Sequence, residues 1–177
     1  KDIPTVFGGI GTAGVVFRWF RDNFGYEELL EEEKTGRDAY DLLTERATKA
    51  EPGSDRLFFL PDFMGSLTQK NSRGAILGLT LGHGKNEVAR AILEGLTYEL
   101  RSVFEEIEEK GNQATEIRAI GGGAKSPFWL QLKADITGKR IVRPEVIEGG
   151  SLGAAILGGI GIGAYENAEE GVEAVYR

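Results

Sequence analysis

The 177-residue sequence predicts an α/β fold, helices layered on strands, and three observations carry that prediction. Short apolar runs alternate with helical patterns along most of the chain, as layered α/β architectures require. Within residues 86–110, Val88, Ile92, Leu96, Leu100, Val103, Phe104 and Ile107 recur every three to four residues, the spacing of one helical face. After that pattern, the strand-like residues 116–120 run into Gly121, Gly122 and Gly123. Ser126-Pro127 follows, a serine able to cap free N–H groups before a proline tolerated at the first helical position.

Taken in order, residues 15–24 place aromatic and apolar side chains at helical spacing and stop at Gly25. The acid-rich run 27–33 reads as a solvated helix face. A helix over 38–49 ends at Glu51-Pro52-Gly53, and Leu57-Phe58-Phe59-Leu60 is a strand closed by Pro61-Asp62. Residues 65–74 are polar and irregular, a loop, and 75–81 form a second strand. Asn86 is a suitable N-cap for the long helix and Gly111 its stop. The helix begun by Ser126 ends at Gly138, and 140–142 are a short strand. Ser151 caps a Gly- and Ala-rich helix whose small residues, at helical spacing, predict close packing on its neighbours. A last helix begins near Asn167.

Composition closes off several kinds of function. With 21 basic and 28 acidic side chains the net charge is −7, and no basic patch offers a footprint for nucleic acid. The absence of cysteine excludes disulfides, thiolate zinc sites and Cys nucleophiles, and fits a reducing cytoplasm. The longest apolar run, residues 152–165, is too short to span a bilayer, and no signal-peptide pattern opens the chain. The abrupt opening, Lys-Asp-Ile-Pro-Thr-Val-Phe-Gly-Gly, reads as a segment cut from a longer protein.

The strand–glycine–helix unit at 116–127 is the most informative local feature. Glycines admit close backbone approach, and a helix N-terminus offers unpaired N–H groups and positive dipole, a setting for phosphate or a flat nucleoside. The same pattern also suits a tight β–α turn with no ligand. No G-x-x-x-x-G-K-[ST] run exists, and at this turn, residues 121–126, the G-x-G-x-x-G fingerprint fails because Ser126 stands at its last position. The acid expected about 20 residues further on is represented only by Glu145, in a loop after Pro144. His83 is the single histidine, so no histidine pair can hold a metal. Glu94 is expected to pair with Arg90 four residues earlier. These rules name no catalytic base.

Residues 74–94 go further. Gly74-Ala-Ile-Leu-Gly78-Leu79, seven residues, then Glu87-Val88-Ala-Arg-Ala91-Ile92-Leu93-Glu94 matches the second signature of the FGGY carbohydrate kinases at every specified position. Gly121-Gly-Gly-Ala-Lys-Ser-Pro-Phe-Trp129 and Ser151-Leu-Gly-Ala-Ala-Ile-Leu157 resemble that family's adenosine-binding segment and following helix. Gly8 to Gly14, with Arg18-Trp19-Phe20-Arg21-Asp22, resembles its loop and helix near the nucleotide. The resemblance covers nearly the whole chain and is strongest to xylulokinase-like members.

It implies an actin-like ATPase domain with an RNase H-like core, a mixed sheet flanked by helices, as the C-terminal domain of a kinase spanning residues 1–177. ATP or ADP with magnesium would bind between two such domains, and the γ-phosphoryl group would pass to a sugar hydroxyl. By correspondence Gly14, Arg18, Gly122, Gly123, Ala124, Ser126 and Pro127 contact the nucleotide. The catalytic aspartate would lie upstream of Lys1, with the N-terminal domain that makes most sugar contacts, so the chain alone would be inactive; relatives often form homodimers. Two departures stand out: the 65–74 loop lacks the family's Gly-Glu-Arg-x-Pro-like run, and Pro127 stands where many relatives have asparagine or serine. Two alternatives remain open, an NAD-binding module of an oxidoreductase and a non-catalytic actin-like interaction domain.

Overall fold

The computed structural model describes residue 6, residues 8–65 and residues 71–175. Helices α1 (Gly14–Phe24), α2 (Tyr26–Thr35) and α3 (Ala39–Thr48) precede a single helical turn at Ser54–Arg56 and an antiparallel hairpin of β1 (Phe58–Leu60) and β2 (Ala75–Leu77). Helix α4 (Lys85–Glu109) leads to β3 (Glu116–Arg118), a turn at Gly122–Ala124, α5 (Pro127–Thr137), β4 (Arg140–Val142), α6 (Gly149–Gly161) and α7 (Ala168–Val175). Strand β3 pairs with β4 in parallel, Ile117 opposite Ile141. Among the described residues the strands therefore make two separate two-stranded sheets, where a single mixed sheet was expected. Each strand is only three residues long. Strand β2 stops at Leu77 because Gly78 takes φ +88 against the Arg56 carbonyl, which turns the chain out of the ladder.

Helix α4 is the axis of the core. Ala89, Ile92, Leu93 and Leu96 of its first half are buried against Val16, Phe17 and Phe20 of α1, Leu43 and Ala47 of α3, Phe59 of β1 and Leu132 of α5. Gly95 permits the crossing with β1: a Cβ there would stand 2.2 Å from the Phe59 carbonyl oxygen. The expected Arg90–Glu94 pair is present at 2.7 Å and is buried. Glu94 also accepts from the Gly53 N–H and the Ser54 hydroxyl, each at 2.9 Å, while Arg90 donates to the Ala50 carbonyl at 2.8 Å. This network holds three successive non-glycine residues, Ser54, Asp55 and Arg56, at φ 51, 50 and 65, a left-handed path that ordinary side chains resist.

Three local expectations need correction. Helix α4 is preceded by Gly84, whose N–H donates to the Glu87 carboxylate at 2.7 Å, so Asn86 lies inside its first turn. Helix α6 starts at Gly149, so Ser151 is inside it and does not cap it; its close packing is local, Gly149 against Ile120 and Gly159 against Tyr165, while Gly150, Gly153, Gly158 and Gly161 face open space. The acidic run is not wholly solvated either. Glu28 is buried and pairs with Arg46 and Lys85, and these contacts hold its carboxyl below the usual range against the opposing effect of burial.

The start of α5 is as expected: Pro127 occupies the first position, and the Trp129 N–H donates to Ser126 Oγ at 3.2 Å. Ser126→Ala is expected to lower unfolding free energy by about 1 kcal/mol in urea titrations, the usual worth of such a cap.

Candidate functional site

A cleft of about 410 Å³ opens where α1, α3 and the start of α5 meet. One wall is the glycine turn, where Gly122, Gly123, Lys125 and Ser126 reach the opening. Gly121, at φ +74, swings the chain from β3 into this turn, and the Ala124 and Lys125 N–H groups close it on the Gly121 and Gly122 carbonyls at 3.0 and 3.1 Å. The opposite wall is the N-terminal part of α3, with Asp38, Tyr40, Asp41 and Thr44; Asp38 is engaged as the cap of its own helix, accepting from the Tyr40 N–H at 2.7 Å. The N-terminus of α1 enters at Gly14, where no side chain caps the helix. Three helix N-termini thus border one opening, those of α1, α3 and α5, and bring the positive ends of their dipoles close to it.

The floor is aromatic. Phe17 lies 6.0 Å from the Tyr40 ring and 6.4 Å from that of Trp129, centre to centre. Trp129 is held in place by its indole N–H, which donates to Thr97 Oγ1 on α4 at 3.1 Å, and Arg21 caps the Tyr40 ring at 4.6 Å. The rings are tilted, Phe17 by 31° to Tyr40 and by 48° to Trp129, and they give the cleft an apolar floor beside a polar rim, the usual make-up of a small-molecule pocket.

Four of the seven residues predicted for the site, Gly14, Gly122, Gly123 and Ser126, line this cleft. The other three do not. Arg18 points to solvent and pairs with Asp22 at 3.6 Å. Ala124 is fully buried beneath the turn, and Pro127 lies in a neighbouring shallow groove with Arg37 and Phe128. Sequence reasoning missed Phe17, Asp38, Tyr40, Asp41, Thr44 and the lysine behind the turn, Lys133; Lys125 and Trp129 fall in the 121–129 segment that resembles the family's adenosine-binding run, though neither was named as a contact. The only forward signal was that Trp129 and Lys133 stand three and seven residues beyond the capping serine, on one helical face.

Lys133 Nζ donates to the Gly123 carbonyl at 3.0 Å and sits 4.1 Å from the centre of the Trp129 ring. Burial pulls its ammonium down to about 8, since desolvation penalises the charged form. The lone histidine is structural in its contacts: His83 Nδ1 receives the Thr80 N–H at 2.9 Å and Nε2 faces the Asp55 carbonyl at 3.1 Å. No helix among the described residues is long and apolar enough to cross a membrane.

Comparison with known proteins agrees with this architecture. The chain is 41% identical over 158 residues to the gluconokinase of Bacillus subtilis, a match covering 86% of this chain and 31% of that protein. The ligand-bound xylulose kinase of Lactobacillus acidophilus superposes with a TM-score of 0.75 at 28% identity, over 95% of this chain and 33% of that one. The glycerol kinase of Plasmodium falciparum, solved with ADP, superposes with a TM-score of 0.72 at 25% identity, over 95% and 32%. The chain therefore spans about a third of the length of these relatives. Residues 3–162 match the C-terminal domain of the FGGY family of carbohydrate kinases, and the chain belongs to that family.

Proposed function

We propose that this chain is the nucleotide-binding part of an ATP-dependent kinase that transfers the γ-phosphoryl group to a hydroxyl of a sugar, sugar acid or polyol. The observation that carries the reading is the convergence of the glycine turn and three helix N-termini on one cleft with an aromatic floor. In this reading the α- and β-phosphates lie toward Gly14 and the turn at Gly122 and Gly123, and the adenine lies over the Phe17–Tyr40–Trp129 floor. The solved relative that carries ADP, and the relatives' names as gluconate, xylulose and glycerol kinases, support the same class of reaction.

The rest of the machinery is assigned to protein outside this chain: an N-terminal domain completing the cleft, the sugar contacts, and an aspartate acting as base on the attacking hydroxyl. Phosphoryl transfer depends on holding nucleophile, metal and phosphates in line, so half a cleft binds without catalysing. Among the described residues no three His, Asp or Glu side chains converge on one point. Magnesium would accompany the phosphates and offset charge developing on their oxygens. The actin-like, RNase H-like assignment of the core belongs to the same proposal, and residues 66–70 of the unusual loop lie outside the described residues.

Calorimetric titration of the chain with Mg·ADP, with NAD as comparator, tests the reading. Saturable ADP binding is expected, with NAD at least about tenfold weaker, a difference of ~1.4 kcal/mol. Tighter binding of NAD would overturn the kinase reading, and binding of neither would leave an interaction domain without a nucleotide.

A further inference from the structure

We propose that Lys133 is a positioning residue of this nucleotide site: its ammonium fixes the Gly123 carbonyl and supplies, from behind the glycine turn, a charge that the bound phosphates answer. The inference rests on the reading of the cleft as a nucleotide site. Lys133 does not line the opening, yet it touches two groups that do, the Gly123 carbonyl at 3.0 Å and the Trp129 ring at 4.1 Å. It also limits Gly123 directly, since a Cβ there would stand 3.3 Å from its Nζ. Pinning this carbonyl fixes the turn that forms one wall of the cleft, the kind of preorganisation that a ligand site requires.

The charge of Lys133 has no acidic partner among the described residues. On its own helix Asp135 accepts from Gln131. Of the groups on α4, Glu94 is taken by Arg90 and Glu105 by Arg101. On α3, Glu45 is taken by Arg37, while Asp41 stands across the cleft. On the sheet side Glu116 is shared by Arg118 and Arg140, and in the turn the nearest charge is the cationic Lys125. A half-buried cation without a counter-ion favours an anionic ligand in the adjoining cleft.

The consequence is a proton. Burial holds the free ammonium at about 8, and phosphates arriving in front of the turn raise that value. Around pH 8 nucleotide binding therefore takes up a proton from solution. ADP does not supply this uptake, because its terminal phosphate is already ionised there. Affinity therefore falls as pH rises from 7 to 9, because the free chain loses this proton in that range while the bound form keeps it.

ADP titrations at pH 7, 8 and 9 in buffers of different ionisation enthalpy read both quantities on the wild-type chain, on K133R and on K133M. The wild type is expected to take up a proton near pH 8 and to weaken toward pH 9. K133R, charged throughout this range, should bind within a few-fold of wild type at pH 7, with no uptake and no weakening. K133M should bind about tenfold more weakly at pH 7 and show no uptake. Circular dichroism melting establishes that K133M is folded; were it not, the K133R comparison alone decides. Binding of ADP by the wild type without uptake, or equal uptake by K133R, overturns the inference and leaves the nucleotide reading standing. No ADP binding by the wild type at any of the three values removes the nucleotide reading and this inference with it.

Discussion

Replacing Gly123 by leucine is expected to weaken ADP binding more than about a hundredfold, ~2.7 kcal/mol, while the domain stays folded. The separation of the two effects follows from the backbone. Gly123 is not among the glycines with positive φ, unlike Gly121, so a side chain there is not opposed by its own main chain. What it meets is the floor of the cleft: a Cβ would stand 3.2 Å from Trp129 Cζ3 and 3.3 Å from Lys133 Nζ. The remaining leucine atoms would displace the indole or fill the space assigned to the nucleotide. Calorimetry measures the loss and thermal melting the fold. Undiminished affinity in a folded variant would place the nucleotide elsewhere.

The largest effect on stability is expected at Glu94. Glu94→Ala should lower unfolding free energy by about 3–5 kcal/mol, the usual consequence of removing one partner from a buried ion pair. It would leave Arg90, a residue only 7% exposed, without its anion, and the Gly53 N–H and Ser54 hydroxyl without an acceptor. The left-handed path through Ser54, Asp55 and Arg56 would lose its anchor at the same time. Domains of this size have total stabilities of about 5–15 kcal/mol, so the loss is a large share of the whole. Urea unfolding of Glu94→Ala beside Glu94→Gln separates charge from hydrogen bonding, because the amide keeps one acceptor. A loss below about 1 kcal/mol in Glu94→Ala would show that the turn at 54–56 is held by something other than this carboxylate.

Much of the fold was legible in the sequence because periodicity reports burial directly. The spacing of Val88, Ile92 and Leu96 marks the face of α4 that meets the core, and Ser126-Pro127 marks the start of α5 through local hydrogen bonding alone. Features that depend on contacts distant in sequence were not legible. Glu28 looked like one acid among many, yet it is paired from α3 and α4 by Arg46 and Lys85. The glycines of α6 predict close packing, which Gly149 and Gly159 show and Gly153 and Gly158 do not, because spacing cannot say which positions meet a neighbour. The site divided along the same line. Its glycine turn is a contiguous segment, and its aromatic floor comes from three helices that only the fold brings together. Arg18, carried over from the family pattern, turns outward to Asp22, an i,i+4 partner that local pairing rules do provide for.

The seating of both cleft walls on α4 has a mechanical consequence. Helix α3 packs on one side of α4 and is tied to it just downstream through Arg90 and Glu94; α5 packs on another and is tied through Trp129 to Thr97 and through Arg101 to the Ile136 carbonyl at 3.2 Å. The jaws thus share one rigid backing, like two fittings bolted to the same beam. Neither can pivot without shearing close-packed side chains along that beam, a discrete repacking and not a smooth flexing. Ligand arrival should therefore be felt as a stiffening of the turn and its side chains, with the gap between α3 and α5 keeping nearly the same width.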